Sequence, residues 1–177
     1  MKMVRLMLWL PLIAFLIVLG LVSSGLIRPH DTTIVSQMIG RPLPAFALPS
    51  GRVGEASLTS ASLADGRPRL VNIFASWCVP CLVEAPQLMA LKQAGVPIEG
   101  IAIRDRAEDL TAFLQRNGDP YARIGRDDTG AVQIALGSSG VPESFVVDGK
   151  GIIRAQHIGE IRAEDVPGLI AAVKSAR

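Results

Sequence analysis

Arg69-Leu70-Val71-Asn72-Ile73-Phe74-Ala75 runs directly into Ser76-Trp77-Cys78-Val79-Pro80-Cys81, where the only two cysteines of the 177-residue chain stand two residues apart. The run before them is apolar and ends abruptly, which predicts a buried parallel strand; from Leu82 to Gln93 apolar residues recur at helical spacing. Strand, Cys-x-x-Cys, helix is the context in which this motif reads as a dithiol/disulfide couple. At the N-terminal end of a helix, unpaired backbone N–H groups and the helix dipole favour the Cys78 thiolate, so Cys78 is the predicted nucleophile. Cys81, one turn further in, is expected to be more buried and to attack the mixed disulfide as the resolving thiol. Pro80 falls in the first turn, where a missing N–H costs little, whereas Pro86 lies inside the helix and is expected to kink it. The competing readings are a structural disulfide and half of a metal site. A two-residue loop gains little from cross-linking, and zinc asks for four ligands while the only histidines, His30 and His157, are distant in sequence.

Working outward, Lys2 and Arg5 precede an uncharged run of 22 residues from Leu6 to Ile27. That length crosses a hydrocarbon core of about 30 Å, and the small-residue exit of a cleaved signal is only weakly matched by Val22-Ser23-Ser24-Gly25. Residues 1–28 are therefore expected to be a cytoplasmic N-terminus and an uncleaved transmembrane anchor, 29–40 a polar linker that includes His30, and 41–177 one domain. Basic residues on the short N-terminal side argue that this end stays in the cytoplasm, which places the domain in the periplasm. In such an oxidising compartment a cysteine pair stays oxidised unless electrons are supplied. The net charge of +2 does not mark an acidic partner, because Lys2, Arg5 and Arg28 belong to the anchor and its flanks. From Asp31 onward 15 basic residues face 16 acidic ones, and with no basic cluster or stacking platform, nucleic-acid binding has no support.

The rest of the chain alternates. Proline-punctuated Leu43 to Leu48 and Ala56 to Leu58 predict an N-terminal hairpin, and Ser60 to Leu63 a helical turn. Val96 to Ile103 reads as a strand and Ala107 to Leu114 as an amphipathic helix ending before Asn117-Gly118. Thr129 to Leu136 reads as a short helix, broken by Gly137-Ser138-Ser139-Gly140. Ser144 to Asp148 and Ile152 to His157 flank the turn Gly149-Lys150-Gly151, and Ala163 to Ala176 supplies a last helix. The simplest arrangement is an α/β mixed sheet with helices on both faces.

Phe74-Ala75-Ser76-Trp77-Cys78-Val79-Pro80-Cys81, Pro86, and Gly140-Val141-Pro142-Glu143 before a strand together resemble the thioredoxin fold. The anchor, Gly40 to Leu48 as Gly-x-Pro-x-Pro-x-Phe-x-Leu, Glu84 three residues past Cys81, and Asp148-Gly149-x-Gly151-Ile152-Ile153 narrow this. They resemble the membrane-anchored thiol:disulfide interchange proteins of bacterial cytochrome c maturation, the DsbE/CcmG family. The resemblance implies a cis bond before Pro142 and a loop packed beside Cys78, leaving the Val141 backbone free to pair with an extended substrate. It implies reduction of a disulfide in apocytochrome c, or in a partner holding it, with electrons from a membrane thiol transporter. No cofactor beyond the Cys78–Cys81 couple is implied.

Glu84, on the same helix face as Cys81, and Glu143, beside Pro142, are the candidates to relay a proton to or from Cys81. A solvated helix carboxylate is the alternative for Glu84. If both are close to the dithiol they disfavour a thiolate and tilt the couple toward reductant, which Val79 and Pro80, lacking charge, do not oppose. Trp77 is expected to pack and make contacts beside the cysteines, Asn72 to be a hydrogen-bonded or edge polar residue, and His157 to close a strand. A periplasmic reductase of broader range shares nearly all these features. A copper metallochaperone of the same fold wants Cys-x-x-x-Cys and a distant histidine, and a peroxidase wants a Thr-x-x motif where position 75 is Ala.

Overall fold

The computed structural model describes residues 9, 11–12, 14–19 and 37–176. The chain divides into a unit through Ile34 and a unit from Val35 onward. In the first unit the described residues, Trp9 and Leu12 among them, are helical and exposed. No helix among the described residues is long and apolar enough to cross a membrane. The span expected from Leu6 to Ile27 lies largely outside the described residues, as does His30.

The second unit is built on a five-stranded sheet. Its strands are β3 (Arg69–Phe74), β4 (Ile98–Ile103), β5 (Arg123–Asp127), β6 (Glu143–Val147) and β7 (Ile153–Ile158), in the order β5-β4-β3-β6-β7. β4 runs parallel to β3 and β5, while β6 is antiparallel to both β3 and β7. A small hairpin, β1 (Ala47–Leu48) with β2 (Leu58–Thr59), precedes the sheet and is shorter than its sequence suggests, because three prolines withhold ladder donors. Pro42 still forms an isolated bridge to Ile152. The helices are α1 (Ser60–Leu63), α2 (Val79–Gln93), α3 (Ala107–Asn117), α4 (Ala131–Ala135) and α5 (Val166–Ser175).

Every residue of β3 is buried, as expected of a strand paired on both edges and covered on both faces. Period two sends Leu70 and Phe74 into a core shared with α2, α3 and α5, and Val71 and Ile73 into a second core shared with β1, β2, α1 and α4. Each fully buried Leu, Ile or Phe contributes about 2 kcal/mol of burial, so both faces hold β3 in place.

β5 is a strand that the sequence reading passes over. Arg-Ile-Gly-Arg-Asp carries three charges and a glycine, and partners in the structure account for Arg123, Asp127 and Gly125. Arg123 pairs with Glu99, and the Asp127 carboxylate accepts the N–H groups of Gly130, Val132 and Gln133 at the start of α4. At Gly125 a Cβ would come within 2.9 Å of Leu48, so the hairpin can lie on β5 only without a side chain there.

Candidate active site

Where β3 ends, Ala75 to Cys78 turn the chain into α2. Cys78 caps that helix: its Sγ accepts the N–H of Cys81 at 3.2 Å, and the two cysteines form a disulfide with Cα atoms 5.3 Å apart. Val79 and Pro80 occupy the first two helical positions, and α2 continues through Pro86 to Gln93. Cys78 is 5% and Cys81 2% exposed, with Cys81 the deeper of the two. Around them the surface is apolar: Trp77 (59% exposed), Val79, Leu82 and Val83 all face outward. A cleft of about 300 Å³ lined by Trp77, Cys78, Leu82, Phe113 and Arg116 opens beside Cys78.

The turn before Cys78 is tied down from β4. The Asp105 carboxylate accepts the Ser76 N–H and the Ser76 hydroxyl, both at 2.6 Å. The peptide bond between Val141 and Pro142 is cis. Val141 packs on the same hydrophobic cluster that contains Cys78 and Cys81. The Pro142 carbonyl accepts the Gly159 N–H, while among the described residues the backbone of Val141 makes no hydrogen bond.

Glu84 is completely buried, which removes the solvated-carboxylate alternative. Its Oε1 accepts from Asn72 Nδ2 at 3.0 Å and its Oε2 from the Ile161 N–H at 3.1 Å. No cation compensates it among the described residues, and burial pushes its pKa up to about 7; the Ile161 and Asn72 hydrogen bonds pull the other way. Asn72 sits in the central strand, so it is no edge residue. It also donates to Ser144 Oγ at 3.0 Å and accepts from the Tyr121 hydroxyl at 2.7 Å. Tyr121 is buried, and that burial raises its own pKa further.

Glu143 is buried as well but faces the other way. It is in register with Ile73, in the core opposite α2, whereas Asn72 and Ser144 face α2. Its carboxylate accepts the Ser139 N–H at 3.0 Å and the Gln156 side-chain amide, and burial raises its pKa. The two acidic residues thus stand on opposite faces of the sheet. His157, in β7, places Nε2 3.3 Å from the Glu160 carbonyl oxygen.

Sequence reasoning missed the part played by Asn72, Tyr121, Ser144, Ile161 and Asp105. Only Asn72 carried a signal, as the one polar residue inside the apolar run Leu70 to Phe74. A buried amide has to find partners.

The Redoxin family matches residues 38–173. The thiol:disulfide interchange protein HelX of Rhodobacter capsulatus is 39% identical over 168 residues, covering 93% of this chain and 92% of that protein. DsbE of Pseudomonas fluorescens biotype C, another thiol:disulfide interchange protein, is 40% identical over 160 residues, 90% of this chain and 88% of that one. A crystal structure described as a thiol:disulfide interchange protein DsbE from Chlorobium tepidum superposes with a TM-score of 0.64 at 25% identity, covering 80% of this chain and 99% of that one. With a disulfide capping α2, the thioredoxin-like mixed sheet and these relatives, the chain belongs to the DsbE/HelX family of thiol:disulfide interchange proteins and is a thiol–disulfide oxidoreductase.

Proposed function

We propose that the protein is a membrane-anchored periplasmic reductant that reduces the disulfide of apocytochrome c, or of a partner carrying it, before haem is attached. The observation that carries the reductant reading is the setting of the two sulfurs. A side chain capping a helix receives N–H groups from the second and third helical positions. Here Pro80 holds the second and has none to give, so the Cys78 sulfur receives only that of Cys81. Glu84, uncompensated by any cation among the described residues, lies on the same face of α2 as Cys81. Both features withhold support from a thiolate, and a couple whose thiolate is poorly stabilised gives its electrons up readily.

In the proposed cycle the reduced Cys78 thiolate attacks one sulfur of the substrate disulfide, forming a mixed disulfide and expelling the other sulfur as a thiolate. The Cys81 thiol passes its proton to Glu84, whose pKa of about 7 lets it accept one near neutral pH. The Cys81 thiolate then attacks Cys78 Sγ, forms the intramolecular disulfide and releases the second substrate thiol. Two electrons have moved to the substrate. Trp77 and the unpaired backbone of Val141 provide the contacts for an extended substrate segment, and Glu143 keeps the cis-Pro142 loop in place through Ser139 and Gln156. A membrane thiol transporter resupplies the electrons, and Leu6 to Ile27 hold the enzyme in the inner membrane with its N-terminus cytoplasmic.

Equilibration of the Cys78/Cys81 couple with dithiothreitol or glutathione tests this. A potential well below about −180 mV is expected for a dedicated reductant, and one near about −120 mV would mean that the protein makes disulfides. In the full chain, Cys81→Ala is expected to trap apocytochrome c as a mixed disulfide in the membrane fraction, open to a membrane-impermeant reductant. Capture of many unrelated proteins instead would point to the broader reductase.

A further inference from the structure

The acceptor role just given to Glu84 raises the question of what holds its proton affinity near neutrality inside an apolar core. Two neutral donors reach the carboxylate, the Ile161 N–H and the Asn72 amide. A backbone N–H can only donate. An asparagine amide can present either its NH₂ or its oxygen, and the two orientations suit opposite states of Glu84. Nδ2 toward Glu84 stabilises the carboxylate; Oδ1 toward Glu84 would accept a bond from the protonated carboxyl.

Tyr121 decides between them. Its hydroxyl donates to Asn72 Oδ1 at 2.7 Å and is buried. Turning the amide round would leave the phenolic hydrogen without an acceptor, which costs about 1–3 kcal/mol in a buried site. The bond also polarises the amide and strengthens its N–H as a donor to Glu84. The ring is held for this task. It stacks on Phe74 with centroids 4.5 Å apart and lies over Gly100, the residue in register with Asn72, where a Cβ would stand 3.0 Å from Tyr121 Cδ1. We propose that Tyr121 is a positioning residue for Glu84, fixing the Asn72 amide in the orientation that donates to the carboxylate. The inference rests on Glu84 as the acceptor of the Cys81 proton.

Other titratable groups around Glu84 leave this device distinct. Cys81 lies on its own helix, in a disulfide here; Glu160, on the turn after β7, raises the Glu84 pKa through its charge; Asp119, near Tyr121, acts on that hydroxyl. None of them contacts the Asn72 amide.

The test is Tyr121→Phe, which keeps the stacked ring and removes only the hydroxyl. The carboxyl carbon of Glu84 is titrated by NMR in the oxidised protein, so the readout does not depend on turnover. Proton affinity is expected to rise about tenfold, the equivalent of one hydrogen bond to a charged group. In an Asn72→Leu background the same substitution is expected to add nothing. An unchanged Glu84 titration in Tyr121→Phe overturns the proposal, and so does an equal shift with and without Asn72. Thermal melts of each variant identify any that fail to fold; if Asn72→Leu does, Asn72→Ser takes its place. If the Glu84 titration moves while the pH profile of the resolving step does not, Tyr121 still positions Glu84, and it is the acceptor role of Glu84 that fails.

Discussion

Glu99 and Glu84 are buried on opposite faces of the same sheet, and of this pair only Glu84 has no cation partner among the described residues. Glu99 of β4 accepts from Arg69 at 2.7 Å and from Arg123 at 2.9 Å, with Asp65 completing the cluster on Arg69. Glu84 of α2 is held by an amide and a backbone N–H. Burial alone therefore does not make a carboxylate reactive. Matched by guanidinium groups, Glu99 is part of a structural ion-pair cluster; matched by neutral donors, Glu84 has a pKa pushed up to about 7, which chemistry on Cys81 can use.

The sharpest way to break this contrast is Glu99→Ala. It leaves Arg69, 2% exposed, with Asp65 as its remaining charge partner, and is expected to cost about 3–5 kcal/mol in chemical denaturation. The reduction potential of the folded variant is expected to stay where it was. A shift in potential comparable to that caused by changing Glu84 would show that the two carboxylates do not differ in kind.

Glu84→Gln probes the other side. Folding lifts the Glu84 pKa from 4.5 to about 7, so between those values the folded protein keeps a proton that the unfolded chain releases. Stability from this group consequently falls as pH rises through that window, by about 3 kcal/mol in all. The Gln variant is expected to lose that slope when denaturation is compared at pH 5 and pH 8. Its resolving step, followed by stopped-flow release of the second substrate thiol at neutral pH, is expected to slow about 100-fold. An unchanged slope would mean that Glu84 titrates alike in both states.

How much of this could be read beforehand follows from the kind of signal each residue carries. Strand, Cys-x-x-Cys and helix were legible because periodicity and punctuation are local, and the hairpin of β6 and β7 announced itself through Gly149-Lys150-Gly151. β5 was not legible: Arg123 and Gly125 are each chosen by a partner far away in sequence and Asp127 by the N–H groups at the start of α4, and together they erase the alternation that marks a strand. The same holds inside the site. Nothing in the spacing of Glu84 tells burial from exposure, and Tyr121, on the connection into β5, meets Asn72 only because β3, β4 and β5 lie side by side. The cis bond before Pro142 was expected from the resemblance and is present, whereas the placement of Glu84 and Glu143 on opposite faces could not be seen without the β6 register.

The smallest effect is expected at the turn into the nucleophile. Asp105 follows Arg104, whose φ of 46° lies in the left-handed region that a non-glycine side chain disfavours by about 1–2 kcal/mol. That backbone is held by the Arg104 N–H on the Asp127 carbonyl and by its guanidinium on the Thr129 carbonyl, and it leads directly to the carboxylate that grips Ser76. Ser76→Ala removes one of the two bonds and keeps the N–H, so about 1 kcal/mol of stability should go. Trp77, next in the chain, is expected to lose some of its fixed orientation, raising KM for a disulfide peptide and leaving kcat within about twofold, since the Cys78–Cys81–Glu84 chemistry is untouched. A fall in kcat with KM unchanged would instead place the Asp105 clamp in the chemistry of the sulfurs, and Glu84 would no longer be the one buried carboxylate on which the reaction depends.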